Sequence, residues 1–287
     1  MIISVVGGKG GVGKTTVATN LALSLINVRF IDCDVEGSNS NIFLKTPLEE
    51  SEDVKLLVPS IDKSKCDFCG KCSEFCMYDA LSVVSSDVVV FPGLCRSCGG
   101  CELVCPKGAI NYYEQVVGRI GHGSKGKIDF FRGLLNVGET GSSAMIKVLI
   151  KKIIRDKDVI IDTPSDLSFS LIKIIDSSDY CVLVTEPTIF GFHDLKRSVD
   201  VIMQSGGIPF GVIINRDGIG DKHVETFCSH EKIPVLLKIP YSKEIAELYA
   251  QGTPFINQLP VFRENFVNIF EKIRRNLRGE TVSSHQL

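Results

Sequence analysis

Residues 7–16 read GGKGGVGKTT and follow the apolar run IISVV. From Gly8 to Thr15 this is G-x-x-x-x-G-K-[ST], placed after a predicted strand and before a helical pattern. No other feature limits the fold as much, because a loop of this kind needs a buried parallel strand feeding a helix. Its glycines let successive backbone N–H groups curl around an anion, and the helix N-terminus adds partial positive charge. The expected nucleotide-binding residues are Gly8, Gly10, Gly11, Val12, Gly13, Lys14, Thr15 and Thr16. Lys14 is expected to reach the β- and γ-phosphates, and Thr15 to place its hydroxyl on Mg²⁺. Lys9 is a second lysine in a loop that needs one. It reads either as a solvated loop residue or as a cation that reaches a phosphate held by a facing subunit.

The rest of the chain repeats the strand–helix rhythm. Strands are predicted near 2–6, 28–32, 158–162, 180–185, 209–214 and 234–239. Helices are predicted near 15–26, 142–155, 167–177, 191–205, 221–230, 242–250 and 260–277. This alternation implies βαβ units on a mostly parallel sheet. A formal charge of −2 over 287 residues gives no electrostatic reason to expect nucleic acid or anionic membrane as a partner. No apolar run nears the roughly 20 residues that span a bilayer, so no stable membrane insertion is expected. The first residues lack the basic start and cleavage site of a signal peptide, which points to a cytoplasmic protein. In that compartment thiols stay reduced, so the spacing of the eleven cysteines has to account for them.

Eight of them lie where the rhythm breaks. Cys66, Cys69, Cys72 and Cys76 form C-x₂-C-x₂-C-x₃-C, and Cys95, Cys98, Cys101 and Cys105 repeat it 29 residues later, followed by Pro106. Two copies of one half-module imply a pseudo-symmetric unit, an inserted small α+β domain expected over 56–115 within an ATPase domain of 1–55 and 116–287. C-x₂-C pairs also make zinc sites, but this doubled register is the two-cluster bacterial ferredoxin spacing. Three cysteines wrap one [4Fe–4S] cluster and the fourth turns to the other. The expected sets are Cys66, Cys69, Cys72 with Cys105, and Cys95, Cys98, Cys101 with Cys76. Met77 stands where proline often follows such a motif. Cys181 is expected in the core, and Cys33 is a candidate reactive thiol. The exit from the insert, GRIGHGSKGKIDFFRG, reads as a flexible re-entry segment whose His122, Lys125 and Lys127 are solvated or touch a phosphate or partner.

KGGVGKT resembles the deviant phosphate loop of the MinD/ParA/nitrogenase-iron-protein class of P-loop ATPases. The resemblance implies a three-layer fold and a slow, switch-like ATPase binding ATP or ADP with Mg²⁺. It also implies a nucleotide-dependent homodimer, or a heterodimer with a paralogue, in which Lys9 contacts nucleotide across the interface. IDCDVEGSN resembles the first switch, so Asp34 would position the attacking water, with Asp32 nearby; the bland alternative is that both cap a turn. VIIDTPSD resembles the second switch, so Asp162 would hold Mg²⁺ through water. The Pro-Gly pair usual after it is replaced by Ser165 and Asp166. Asn215, at the end of VIINR, matches the adenine-contacting asparagine, with Arg216 beside it. The catalytic set implied is Lys9, Lys14 and Asp34. The stretches 184–195 and 239–255 resemble class members that carry an inserted ferredoxin module.

Together these features lead us to expect ATP-coupled electron transfer through two [4Fe–4S] clusters to a redox client protein. The alternatives are a factor that assembles or matures a metallocofactor, and a positioning ATPase of MinD/ParA type. The last helix places Phe262, Phe266, Phe270 and Ile273 on one face. That face suits packing on the sheet or, less simply, a membrane anchor.

Overall fold

The computed structural model describes residues 1–8, 11–165 and 169–280. Among them, one sheet holds nine strands: β1 (Ile2–Gly7), β2 (Val28–Asp32), β3 (Glu49–Ile61), β6 (Ile110–Lys125), β7 (Ile128–Leu135), β8 (Asp158–Asp162), β9 (Tyr180–Thr185), β10 (Phe210–Asp217) and β11 (Val235–Pro240). Their order is β11-β10-β9-β1-β8-β2-β7-β6-β3. Every pairing from β11 through β7 is parallel, whereas β6 runs antiparallel to both β7 and β3.

The sheet is covered on both faces, as parallel sheets require. Ile3 and Val5 of β1 face one core, where they meet Val17 and Leu21 of α1 (Lys14–Ser24) and Phe266 and Phe270 of α10 (Pro260–Leu277). Ile2 and Val6 face the other side. There the cover is α5 (Ser142–Ile150), α6 (Phe169–Asp176), α7 (Ile189–Gln204) and α8 (His223–His230). This period-two alternation gives the expected three layers. The short α2 (Ser40–Leu44) follows the segment 33–39 at the end of β2, and α9 (Lys243–Ala250) follows β11. The apolar face of α10 is thus spent on the core, with Phe266, Ile269, Phe270 and Ile273 all buried. No helix among the described residues is long and apolar enough to cross a membrane.

The six strands expected from apolar runs are present. The segment expected to be a flexible re-entry is instead the β6–β7 hairpin, and β7 lies parallel to β2 inside the sheet. Its glycines serve close approach, not freedom. A Cβ at Gly123 would sit 2.0 Å from the Pro47 carbonyl oxygen, and one at Gly118 would sit 2.3 Å from Met145 Cε. His122 is also structural: its Nε2 lies 2.7 Å from Asp129 Oδ1, and its ring stacks on Phe131. Arg29 closes the network on Asp129 from the neighbouring strand, with Nε donating at 2.7 Å.

β3 and β6 pair from Glu49 opposite His122 to Ile61 opposite Ile110, well past the point where β7 ends its pairing with β6 at Gly118. They form a long ribbon, and residues 62–109 make a cysteine-bearing lobe at its tip. The lobe holds α3 (Lys71–Phe75), the hairpin of β4 (Leu81–Val84) with β5 (Asp87–Val90), and α4 (Gly100–Leu103). Its core is Ala80, Leu81, Val88, Ile110 and the two buried cysteines Cys95 and Cys101.

Candidate functional site

The first site lies at the carboxyl ends of the parallel strands, where open α/β sheets form their binding crevice. β1 ends at Gly7, and the loop enters α1 through Gly11 and Gly13, whose φ angles are 104° and 97°. L side chains rarely adopt these values. A Cβ at Gly13 would also lie 2.3 Å from Asn215 Nδ2. α1 starts with no side-chain cap and no acidic residue in its first turn. Its first amides and the positive end of its dipole are therefore open to an anion. Lys14 is buried and donates from Nζ to the Gly8 carbonyl at 3.2 Å, so its stem lies back along the loop.

Beside the loop, Asp162 ends β8 in register with Asp32 at the end of β2. Both side chains are fully buried, yet their surroundings differ. Asp32 accepts from Ser38 Oγ at 2.6 Å, from Ser40 Oγ and from the Asp34 backbone N–H at 3.0 Å. It is a pin that shapes the segment carrying Asp34. Among the described residues, neither oxygen of Asp162 has a hydrogen-bond partner at normal geometry, although the Thr15 hydroxyl stands close enough to act on its charge. Burial pushes the Asp162 carboxyl well above its usual range, the Asp32 charge adds to this, and Thr15 and Lys14 oppose it. A buried carboxylate without a partner is costly. Next to a threonine hydroxyl it is the oxygen-donor arrangement that suits a small divalent cation.

A cavity of about 270 Å³ runs from Gly13 and Thr16 past Asn215 and Arg216 to Tyr241 and Tyr249. Asn215, in β10, donates from Nδ2 to the Val12 carbonyl at 2.9 Å and so ties the phosphate loop to the opposite wall. Arg216, in the left-handed region at φ 53°, is held by Glu186 at 2.7 Å. Tyr241, Ile245 and Tyr249 were not singled out from the sequence as site residues, although they fall within the stretch 239–255. Lys9, Gly10 and Asp166 lie outside the described residues.

The second arrangement is in the lobe. Cys66, Cys69, Cys72 and Cys105 line one cavity, and Cys76, Cys95, Cys98 and Cys101 line another. The first is narrow, about 20 Å³, so a bulky occupant requires its side chains to move apart; the second is about 520 Å³. All eight thiols are free. Among the described residues, no group of three or more His, Cys, Asp or Glu could hold a single metal ion. The two copies match locally: Ala80 N–H donates to Cys76 Sγ and Ala109 N–H to Cys105 Sγ, each at 3.3 Å. The other three cysteines are packed in the main body. Cys33 is 1% exposed and burial pushes its thiol far up, which opposes the thiolate a reactive cysteine needs. Burial likewise raises Cys181 to about 12 and Cys228 to about 11.

Comparison with known proteins agrees with the nucleotide-binding fold of the main body. An uncharacterized protein of Methanocaldococcus jannaschii is 31% identical over 283 residues, covering 93% of this chain and 97% of the relative. An uncharacterized ATP-binding protein of the same organism is 23% identical, covering 90% of this chain and 81% of the relative. Among solved structures, the cell division ATPase MinD of Pyrococcus furiosus superposes with a TM-score of 0.58 at 21% identity, covering 96% of this chain and 98% of MinD. MinD of Pyrococcus horikoshii, complexed with Mg-ADP, gives 0.58 at 19% identity and 98% coverage of both chains. At these identities the structural likeness establishes the fold alone. The CobQ/CobB/MinD/ParA nucleotide binding domain matches residues 3–255, and the chain belongs to that family.

Proposed function

We propose that this protein is an ATP-binding and ATP-hydrolysing switch in which nucleotide-dependent dimerisation is coupled to two [4Fe–4S] clusters, serving electron transfer to a client protein. In the nucleotide half, the amides of the phosphate loop and Lys14 bind the phosphates, while Asn215 and Arg216 stand at the base end. Thr15 and Asp162 would hold Mg²⁺, which offsets charge on the phosphates during transfer. The orphaned oxygens of Asp162 are the observation that carries this half. Asp34 orients a water for attack on the γ-phosphorus; the bond to the β-phosphate oxygen breaks, and ADP and phosphate leave. Lys9 binds phosphate of the facing copy.

The cluster half is carried by the sorting of eight free cysteines into two sets, each drawing three from one copy of the repeat and one from the other. A single zinc needs its thiolates converged at about 2.3 Å. A four-iron cluster instead takes one thiolate per corner around a larger body, and it supplies a low-potential one-electron couple. A cluster-assembly role is the second reading, favoured by the exposure of Cys69 and Cys98. A positioning ATPase of MinD/ParA type is the third reading, supported by the family match; the apolar face of α10 is buried, so a membrane contact through that helix forms no part of it.

The test is anaerobic reconstitution followed by iron analysis and an EPR-monitored redox titration, with and without Mg²⁺ and a non-hydrolysable ATP analogue, alongside mass in solution. About eight irons per chain, EPR signals from two clusters and analogue-dependent doubling of mass are expected. One zinc per cysteine set overturns the cluster half, and loss of the clusters to an apo-acceptor at turnover rates moves the reading to assembly.

A further inference from the structure

The segment 133–143, from the end of β7 through the loop 136–141 into α5, touches both the first-switch side of the body and the cysteine lobe. On the body side, Leu135 N–H donates to the Val35 carbonyl at 3.0 Å, one residue past Asp34 in the first-switch segment. Val35 packs so closely on β7 that a Cβ at Gly133 would lie 2.7 Å from its Cγ1. Just after the loop, Ser143 Oγ of α5 lies 2.9 Å from Ser170 Oγ of α6, the helix that follows the second-switch strand β8. On the lobe side, Glu139 accepts from Gln115 Nε2 of the ribbon at 2.8 and 2.9 Å. Thr140 Oγ1 donates to the Gly93 carbonyl. Gly93 belongs to the turn Pro92–Leu94, closed by Cys95 N–H onto the Pro92 carbonyl at 3.0 Å, which delivers Cys95 to the larger cysteine cavity.

We propose that the segment 133–143, comprising the end of β7, the loop 136–141 and the start of α5, is the coupling element between the nucleotide site and the cysteine lobe. Thr140 is its output contact, and the turn entering Cys95 is the part of the lobe that responds. The physical requirement is a packed element with a discrete contact at each end. Val35 on Gly133 and Ser143 on Ser170 supply the inputs, and the Thr140 bond supplies the output. The cavity holding Cys95, Cys98 and Cys101 lies on this side, so it senses nucleotide before the one holding Cys66, Cys69 and Cys72. By reciprocity, occupancy of that cavity also alters nucleotide affinity by the same factor.

The inference rests on the nucleotide half of the proposed function and not on the identity of the lobe's occupant. The test is hydrogen exchange of the full-length, anaerobically reconstituted protein with Mg-ADP and with Mg²⁺ plus the ATP analogue. In the wild type, amides of residues 93–98 are expected to exchange at rates differing by about threefold or more between the two states. Thr140→Val keeps the side-chain shape and removes the donor. It is expected to abolish that difference while nucleotide affinity stays within about twofold. Ser143→Ala, which leaves the Gly93 contact intact, is expected to reduce the difference; it carries the test if Thr140→Val unfolds the lobe. A wild-type lobe indifferent to nucleotide, or a difference retained in the readable variant, overturns the relay. Nucleotide titration and iron analysis of the same samples score the proposed function separately: absent nucleotide binding sinks that reading, whereas binding without a lobe response sinks the relay alone.

Discussion

The nucleotide edge and the cysteine lobe each gather polar groups around a cavity, but they rest on unlike foundations. The edge sits on a sheet with fully buried residues on both faces, such as Ile3, Val5, Val182 and Val159. Its pins are already made: Asp32 is held by two serines, and Asn215 is bonded to the phosphate loop. The lobe has a six-residue buried core, of which two members, Cys95 and Cys101, are proposed ligands. A ligand at the edge completes a site in a fold that stands without it. A ligand in the lobe is part of the core, as in other small domains too slight to stand on burial alone.

The largest expected effect breaks function at the edge without touching structure. Asp34→Asn should lower ATP hydrolysis by about 10²–10⁴-fold, the usual worth of a positioned general base. Nucleotide affinity, iron content and melting temperature should stay near wild type. A variant that unfolds instead would show that the edge is no more preassembled than the lobe.

The converse change is made in the lobe. Cys95→Ser should drop iron from about eight atoms per chain to about four or fewer. Amide protection over 62–109 should fall by orders of magnitude, while the central sheet keeps its protection and nucleotide still binds. A lobe that keeps its protection after all iron is removed would erase the contrast.

Asp162 is the exception within the edge, and it gives the pH dependence. Its folded pKa lies well above the usual 3.8, first through burial and then through Asp32. The folded state therefore holds this proton more tightly than the unfolded chain does. Stability is fully present below the unfolded pKa and is lost as pH rises from there through the raised folded value. Metal-free protein should thus melt lower as pH climbs out of the acid range. Asp162→Asn should flatten that decline, because the amide does not titrate, and stabilise the metal-free form at neutral pH by roughly 1–3 kcal/mol, the extra cost of burying a charged group over a neutral one. Mg²⁺ with nucleotide should stabilise the wild type and not the variant. If Asn at 162 destabilises the metal-free protein at neutral pH, the carboxylate is satisfied in a way its surroundings do not show.

Much of this was legible in the chain. β1, β8, β9 and β10 are runs of apolar, mostly β-branched residues because both faces are covered, and such runs declare themselves without partners. The phosphate loop was equally plain, since its glycines answer a local backbone demand. β6 and β7 were hidden because their glycines make room for Pro47, Met145 and Val35, contacts set by residues far off in sequence. His122 read as solvated for the same reason, because Arg29 and Asp129, which fix it, lie on other strands. Asp162 could be named from sequence as a cation holder. That it stands buried beside Asp32 with no partner of normal geometry among the described residues depends on the strand register, and only the fold supplies that. The tyrosines of the cavity wall carry no motif; Tyr241 directly follows β11 and Tyr249 lies in the last turn of α9, and only the fold brings them to one cavity.

The smallest expected effect sharpens the contrast inside the lobe itself. The 29-residue repeat maps Cys101 onto Cys72 and Tyr112 onto Val83, so only one half has a hydroxyl at this position. Tyr112 Oη lies 3.8 Å from Cys101 Sγ and 3.5 Å from the Gly99 carbonyl oxygen, and burial pushes its phenol above the usual range, so it keeps the one proton that a charged sulfur would draw from Gly99. A hydrogen bond to a ligand sulfur favours the more negative, reduced cluster. Tyr112→Phe should therefore lower the potential of one cluster and leave the other in place. The shift should be roughly 40 mV, one hydrogen bond of about 1 kcal/mol on a one-electron couple. Val83→Tyr offers no matching gain unless the hydroxyl reaches Cys72. Equal shifts at both clusters after Tyr112→Phe would mean that the change acts through the lobe's packing, and that the two halves are as alike in chemistry as they are in spacing.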